Sequence, residues 1–203
     1  MHLYGHPASG NVYKTQLILA LTGRAYDLSP VKWGTPEIES PEFLALNPAG
    51  RVPVLDDAGF VLPESNAQLW YLAQGTRFWP EAVKDQAQVL RWLFWEQYSH
   101  EPYLAVIRYL RHYGAPGPET ERRIAERTPG AEAALRLLEQ HLAGRDWLVG
   151  DGCTIADLAL YAYTHVAHEA GLPLDGHPAV RAWLARVEAL PGFVPLAAYE
   201  TAA

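Results

Sequence analysis

Three short stretches in the first third of the chain carry residue types that could do chemistry together. Ser9-Gly10-Asn11 sits in HPASGNVYK (residues 6–14), between a short apolar run, His2 to Gly5, and a helical pattern from Thr15 to Leu21. A serine or asparagine at such a junction caps orphan amides. The same amides and the positive end of the helix dipole also stabilise an anion, and a hydroxyl donor beside them favours a thiolate over a thiol. The chain has one cysteine, Cys153, far away in sequence, so a thiolate used at this loop would come from a ligand. Pro53, in Arg51-Val52-Pro53-Val54-Leu55, interrupts a run of strand formers. It reads as an edge strand, or as a site where Val52 keeps its amide and carbonyl for an extended peptide. Glu64-Ser65 opens a third helix, with Ser65 and Gln68 at capping-box spacing. The structural reading is a cap. The functional one has Glu64 taking an ammonium, and Ser65 with the first amides taking a carboxylate.

These stretches need elements to position them. His2 to Gly5 and Ala25 to Val31 read as strands, with a helix from Val12 to Gly23 between them. Pro41 to Ala45 reads as a short helix before the Asn47-Pro48 break. Arg51 to Leu55 and Phe60 to Leu62 flank a turn-rich link, Asp56-Asp57-Ala58-Gly59, that suits a hairpin, and Ser65 to Gln74 returns to helix. After Gly75 the pattern is helical throughout: Pro80 to Tyr113 with a kink or break at Pro102, Glu119 to Thr128, Pro129 to Leu142 capped by Thr128, Thr154 to Ala170, and Pro178 to Leu190. The expected domains are residues 1–76, a linker at 77–83, and an all-helical domain at 84–203.

Composition bounds what such a chain does. At 203 residues and 49% hydrophobic it can bury a substantial core. A formal charge of -7 and no basic run argue against nucleic acid and against a polybasic membrane contact. One cysteine excludes a disulfide framework and a Cys-x-x-Cys pair. Without a signal-peptide pattern or a long apolar stretch, the expectation is a soluble cytoplasmic protein.

A thiolate at one helix end, a strand for a peptide and a second helix end for an amino-acid head group make the outline of glutathione. The chain strongly resembles the glutathione S-transferase family in Leu3-Tyr4-Gly5 through SGNVYK, in LNPAGRVPVLDDAGFVLPESNAQLWYLA (residues 46–73) and in GDGCTIADLALYAY (residues 150–163). The resemblance runs the length of the chain in the expected order. It implies an α/β thioredoxin-like N-terminal domain (βαβαββα) followed by an all-α C-terminal helical domain, and a cytoplasmic homodimer serving detoxification. By it, Val52 pairs through its backbone with the cysteinyl part of glutathione ahead of a cis Pro53, and Glu64 and Ser65 hold the γ-glutamyl group. Arg51 makes a polar contact to the tripeptide, and Lys32 meets the glycyl carboxylate. Ser9 stabilises the thiolate, with Asn11 its rival or helper, as small polar residues near this point serve in classes similar to nu and chi. Tyr4 is offset toward the strand and Tyr13 packs.

Where glutaredoxin-like, beta or omega relatives carry a cysteine, this chain has Ser9 or Asn11, which speaks against mixed-disulfide chemistry on the enzyme. Thr154-Ile155-Ala156-Asp157 resembles the family's capping box and is expected to serve folding. His165, His168 and Glu169 have no obvious further ligand, so no metal is expected. Tyr98, Tyr103, Ile107 and Tyr163 are candidates for an apolar second-substrate wall, with His100 nearby. The favoured function is conjugation of glutathione, as co-substrate, to an electrophilic and largely apolar molecule. The alternatives are a peroxidase or disulfide-bond reductase using two glutathiones, and a non-catalytic binding protein.

Overall fold

Leu3, in the strand β1 (His2–Gly5), stands opposite Leu28 of β2 (Asp27–Pro30) on one side and Leu55 of β3 (Val54–Asp57) on the other. With β4 (Phe60–Pro63) these form one sheet in the order β2-β1-β3-β4. The β1–β2 pair is parallel and the other two pairs are antiparallel. The computed structural model describes residues 1–31 and 36–200. Lys32 therefore lies outside the described residues.

Alternation along the strands divides the core. Tyr4 and Val54 pack with Val31, Phe43 and Leu46 on the side of α2 (Pro41–Leu46). Leu3 and Gly5 share the other face, toward α1 (Gly10–Leu21). A Cβ on Gly5 would overlap the Val12 side chain, so glycine is what lets α1 approach the end of β1. Helix α3 (Ser65–Ala73) packs beside α1.

Several boundaries differ from the sequence expectation. Helix α1 begins at Gly10 because Ser9 is its N-cap. Strand β3 begins at Val54 rather than Arg51, since a proline at 53 has no N–H to give a ladder. It is also a central strand, flanked by β1 and β4, so the edge-strand reading of Pro53 fails. The hairpin link is only Ala58-Gly59, both at positive φ (54° and 93°), with Gly59 N–H donating to Asp56 Oδ1 at 2.7 Å.

By packing, the chain divides into Met1–Thr76 together with the stretch from Leu190, and Arg77–Ala189. The sequence assigned that last stretch to the helical domain. It instead joins the first unit, where the Tyr13 hydroxyl donates to the Val194 carbonyl at 2.8 Å and the Tyr13 and Tyr199 rings lie 6.0 Å apart. It ends in a short helix, α9 (Leu196–Glu200), which no periodicity announces.

The second unit is entirely helical among the described residues. Helix α4 (Val83–Trp95) runs through a π-helical segment, Glu96–His100, into α5 (Glu101–Tyr113). The expected kink at Pro102 takes this form: the proline sits in the first turn of α5, and Glu101 N–H reaches back five residues to the Glu96 carbonyl. Helix α6 (Pro118–Leu142) is continuous through Pro129, where two helices were expected. Thr128 is helical rather than a cap, its hydroxyl donating to the Ile124 carbonyl at 2.9 Å. Ile124 before the proline and Ala131, Ala134 and Leu135 after it share one core with Leu104 and Ile107, and that packing outweighs the roughly 3 kcal/mol such a proline costs.

Helix α7 (Ile155–Thr164) is buried along its whole length and opens with the Thr154–Asp157 capping box. It stops six residues before the expected Ala170, giving way to a 3₁₀ turn at Ala167–Ala170. Helix α8 (Pro178–Glu188) receives its cap from α6: the amides of Ala179 and Val180 donate to the Glu139 carboxylate at 3.0 and 2.9 Å.

His165, just past α7, stacks on Tyr161 with ring centroids 4.5 Å apart. Burial is the main reason its imidazole is held down to about 4. An unfolded histidine titrates near 6.5, so on acidification the unfolded chain takes the proton first. The stability this group lends is therefore complete above about pH 6.5 and is lost as pH falls toward 4. We expect the urea midpoint of the protein to drop across that window by more than that of His165→Phe; equal slopes would refute this assignment.

Candidate functional site

The loop from His6 to Ser9 is tied into a turn before α1 starts. Ser9 N–H donates to the His6 carbonyl at 3.0 Å and Ala8 N–H to His6 Nδ1 at 3.2 Å. The Ser9 carbonyl accepts from Tyr13 N–H at 2.8 Å, and its hydroxyl accepts from Val12 N–H at 3.4 Å. Ser9 is thus a true cap. Its oxygen receives a helix amide, which leaves the hydroxyl proton as what this side chain can offer a ligand at the positive end of α1.

Asn11, two residues along, meets the start of α3. The Ser65 hydroxyl donates to Asn11 Oδ1 at 3.3 Å. Two further cross-links run up the same pair of helices. Lys14 Nζ lies 3.4 Å from Asn66 Oδ1, and the Thr15 hydroxyl donates to Gln68 Oε1 at 2.6 Å. The structure therefore brings Asn11, two residues past the Ser9 cap, to Ser65 across the first unit, from segments more than fifty residues apart.

Glu64 corrects the capping-box expectation. It, and not Ser65, is the N-cap residue of α3, at φ 71° and ψ 107°, and it makes no side-chain cap bond. Its side chain is exposed. A glutamate held at positive φ is uncommon. Gln68 does not reach back either. It points inward, donating to the carbonyls of Leu62 at 2.7 Å and Pro53 at 3.3 Å.

The Val52–Pro53 bond is cis. Among the described residues the main chain of Val52 makes no hydrogen bond, while Val54 onward enters the ladder. A free amide and carbonyl at the head of a central strand can pair with an extended peptide. Arg51 is exposed, and its carbonyl accepts from Asn47 Nδ2 at 2.7 Å. Asn47 also accepts from Ala49 N–H at 3.1 Å, so this buried asparagine shapes the turn that leads into Val52.

With that geometry in hand, the comparisons with known proteins are decisive. Residues 1–74 match the family model for the N-terminal domain of glutathione S-transferase, and residues 94–191 match that for its C-terminal domain. The chain belongs to the glutathione S-transferase family. A glutathione S-transferase structure from Xanthobacter autotrophicus Py2 is 48% identical, covers 96% of each chain and superposes with a TM-score of 0.92. Yeast Ure2p in complex with glutathione is 26% identical, with 98% of this chain and 93% of that one covered and a TM-score of 0.86. The Escherichia coli disulfide-bond oxidoreductase YfcG is 29% identical over 190 residues, 89% of this chain and 87% of that one. The fold is accordingly the family's: a thioredoxin-like domain with a four-stranded mixed sheet, followed by a helical domain.

Other candidates from the sequence take bland places in this transferase fold. Tyr4 packs in the core on the α2 face, and Tyr13 is fully buried. Ile107 and Tyr163 belong to the core of the helical unit, and Tyr103 lies against Gly130 of α6. His100 is fully buried, with Nε2 2.9 Å from the Thr164 hydroxyl. Glu169 pairs with Arg108 at 2.6 Å and His112 at 3.2 Å. Cys153 is buried, and burial pushes its thiol well up, so it is a poor nucleophile. No helix among the described residues is long and apolar enough to cross a membrane.

Thr15 and Asn47 are site neighbours that sequence reasoning passed over, and Gln68 is one that it read only as half of a capping box. A signal existed for one of them: Gln68 falls on the same helical stripe as Leu69, Leu72 and Ala73, where a polar residue needs a reason.

Proposed function

We propose that this chain is a glutathione transferase that joins the glutathione thiolate to an electrophilic, largely apolar second substrate. The observation that carries the reading is the Ser9 cap. Its hydroxyl, already accepting from Val12, has its own proton to donate, and it sits two residues before Asn11, which the Ser65 hydroxyl ties to α3. Glutathione would lie with its γ-glutamyl ammonium toward Glu64, its α-carboxylate toward Ser65 and its cysteinyl backbone on Val52, with Arg51 and Lys32 toward its remaining polar groups. The thiol proton leaves to solvent. The sulfur, held as thiolate by Ser9 and the helix end, attacks the electrophilic carbon; a C–S bond forms and the leaving group departs with its electron pair.

A second reading is favoured by the likeness to the oxidoreductase YfcG. The same thiolate would attack a disulfide, releasing one thiolate, and a second glutathione would resolve the mixed disulfide to oxidised glutathione and the other thiol. No protein cysteine is needed, which suits a chain whose one thiol is buried. A purely binding member is the third. The proposal extends to a cytoplasmic homodimer serving detoxification. Exposed Leu90, Phe94 and Tyr98 recur at helical spacing along and just past α4, which supports a paired face, and sedimentation equilibrium checks it.

The test is a titration with glutathione that follows thiolate absorbance across pH, then turnover of a chlorinated nitroarene against a small disulfide. Saturable binding, a thiol pKa lowered from the usual value near 8.5 and preference for the nitroarene are expected. Preference for the disulfide selects the second reading. Binding with an ordinary thiol pKa selects the third, and absence of glutathione binding overturns the first two and leaves a member that binds other ligands or protein partners.

A further inference from the structure

Gln68 is fully buried, and its carboxamide is engaged at both ends. Oε1 accepts from the Thr15 hydroxyl at 2.6 Å, while Nε2 donates to the Leu62 carbonyl at 2.7 Å and the Pro53 carbonyl at 3.3 Å. The partners belong to three different segments. Pro53 follows Val52, Leu62 stands two residues before Glu64, and Thr15 lies on the helix that Ser9 caps. Two carbonyls and one hydroxyl donor converge on a single point, and a carboxamide satisfies all three. A carboxylate there would face two carbonyl oxygens with lone pairs, and an apolar side chain would remove the donor that both share.

We propose that Gln68 is a positioning residue that sets the distance between the Val52 main chain and the Glu64–Ser65 turn, so that the cysteinyl and γ-glutamyl parts of one tripeptide are gripped together. The inference rests on the glutathione reading above. It separates two tasks within one domain. Ser9 governs the state of the sulfur, and Gln68, with Thr15 holding its carbonyl end, governs whether both ends of the ligand fit at once. Lys14–Asn66 and Asn11–Ser65 hold the same pair of helices, so α1 and α3 stay docked when Gln68 is changed.

The experiment measures, for each variant, glutathione Kd by calorimetry, the pKa of the bound thiol, and turnover at saturating glutathione. Gln68→Met, close in volume, is expected to raise Kd about tenfold or more through loss of the donor that ties the Pro53 and Leu62 carbonyls together, with thiol pKa and saturated turnover near those of the unmodified protein. Thr15→Val is expected to raise Kd several-fold and Thr15→Ser, which keeps the hydroxyl, to leave it unchanged. The double variant Thr15→Val/Gln68→Met binds no more weakly than Gln68→Met alone, because both remove one network. A folded Gln68→Met with unaltered Kd overturns the proposal, as does a thiol pKa or saturated turnover that moves in step with Kd, the mark of general loosening. Should Gln68→Met not fold, the threonine pair decides, and equal Kd for valine and serine overturns it. Failure of the unmodified protein to bind glutathione removes the functional reading and this inference with it, whereas normal binding in the unmodified protein and in all variants removes this inference only.

Discussion

Alanine at Asp157 is expected to cost the 77–189 unit about 3–5 kcal/mol, the range for breaking a buried charged network. The carboxylate is completely buried and accepts four hydrogen bonds. Oδ1 takes Leu148 N–H at 3.0 Å and Trp183 Nε1–H at 2.9 Å, and Oδ2 takes Thr154 N–H at 2.8 Å and the Thr154 hydroxyl at 3.2 Å. One side chain thus joins the loop before α7, the helix itself and α8. Thr154→Ala, which removes only one hydroxyl from that set, should cost about 1–2 kcal/mol as a lost cap. Urea unfolding at neutral pH measures both, and a smaller loss for Asp157→Ala than for Thr154→Ala would refute the assignment. Burial pushes this carboxyl up to about 6, against the pull of its four donors. The native state therefore holds the proton more tightly than the unfolded chain between about pH 4 and 6, and the contribution of this group falls as pH rises through that window. The advantage of the protein over Asp157→Asn should narrow from pH 4 to 6 and be level above it, opposite in sign to the His165 effect.

Ser9→Ala is expected to raise the pKa of bound glutathione by about one unit, and Ser9→Ala/Asn11→Ala by one to two, since a donor to the sulfur and the order of the helix end are lost. At pH 7 kcat/KM should fall roughly 10- to 100-fold. The pH–rate profile should move to higher pH and much of the activity should return there, because the nucleophile is scarcer and not destroyed. Loss of the cap alone would cost about 1 kcal/mol of stability. A profile that keeps its midpoint while losing amplitude would make Ser9 a cap and nothing more.

Much of this was legible in the chain because local chemistry and global fold agree. Strand β1 has the bounds its residues suggest, and Thr154 and Asp157 make the box their spacing promises. The failures share a cause, which is tertiary context overriding a local signal. Ser65 and Gln68 have capping-box spacing, yet Glu64 takes the cap position and Gln68 is drawn to two carbonyls that only the folded sheet supplies. Thr128-Pro129 looks like a helix start, yet core packing on both sides carries α6 through it. Pro102 announces a break without saying that a single wider turn suffices. The meeting of Asn11 with Ser65 depends on the packing of α1 against α3, which no spacing along the chain encodes.

The return of the chain to its beginning bears on how the protein is made. Tyr13 of α1 finds its hydrogen-bond acceptor in Val194, and the Tyr199 ring covers it at 6.0 Å. On a ribosome the thioredoxin-like segment is complete in sequence long before residue 190 emerges, while the partner for its first helix is still unsynthesised. An early-emerging domain folds as a unit where it can, but until Val194 and Tyr199 emerge Tyr13 lacks the acceptor and the ring it meets in the finished chain. That interval is when a chaperone, or another nascent chain, has its best opportunity to bind.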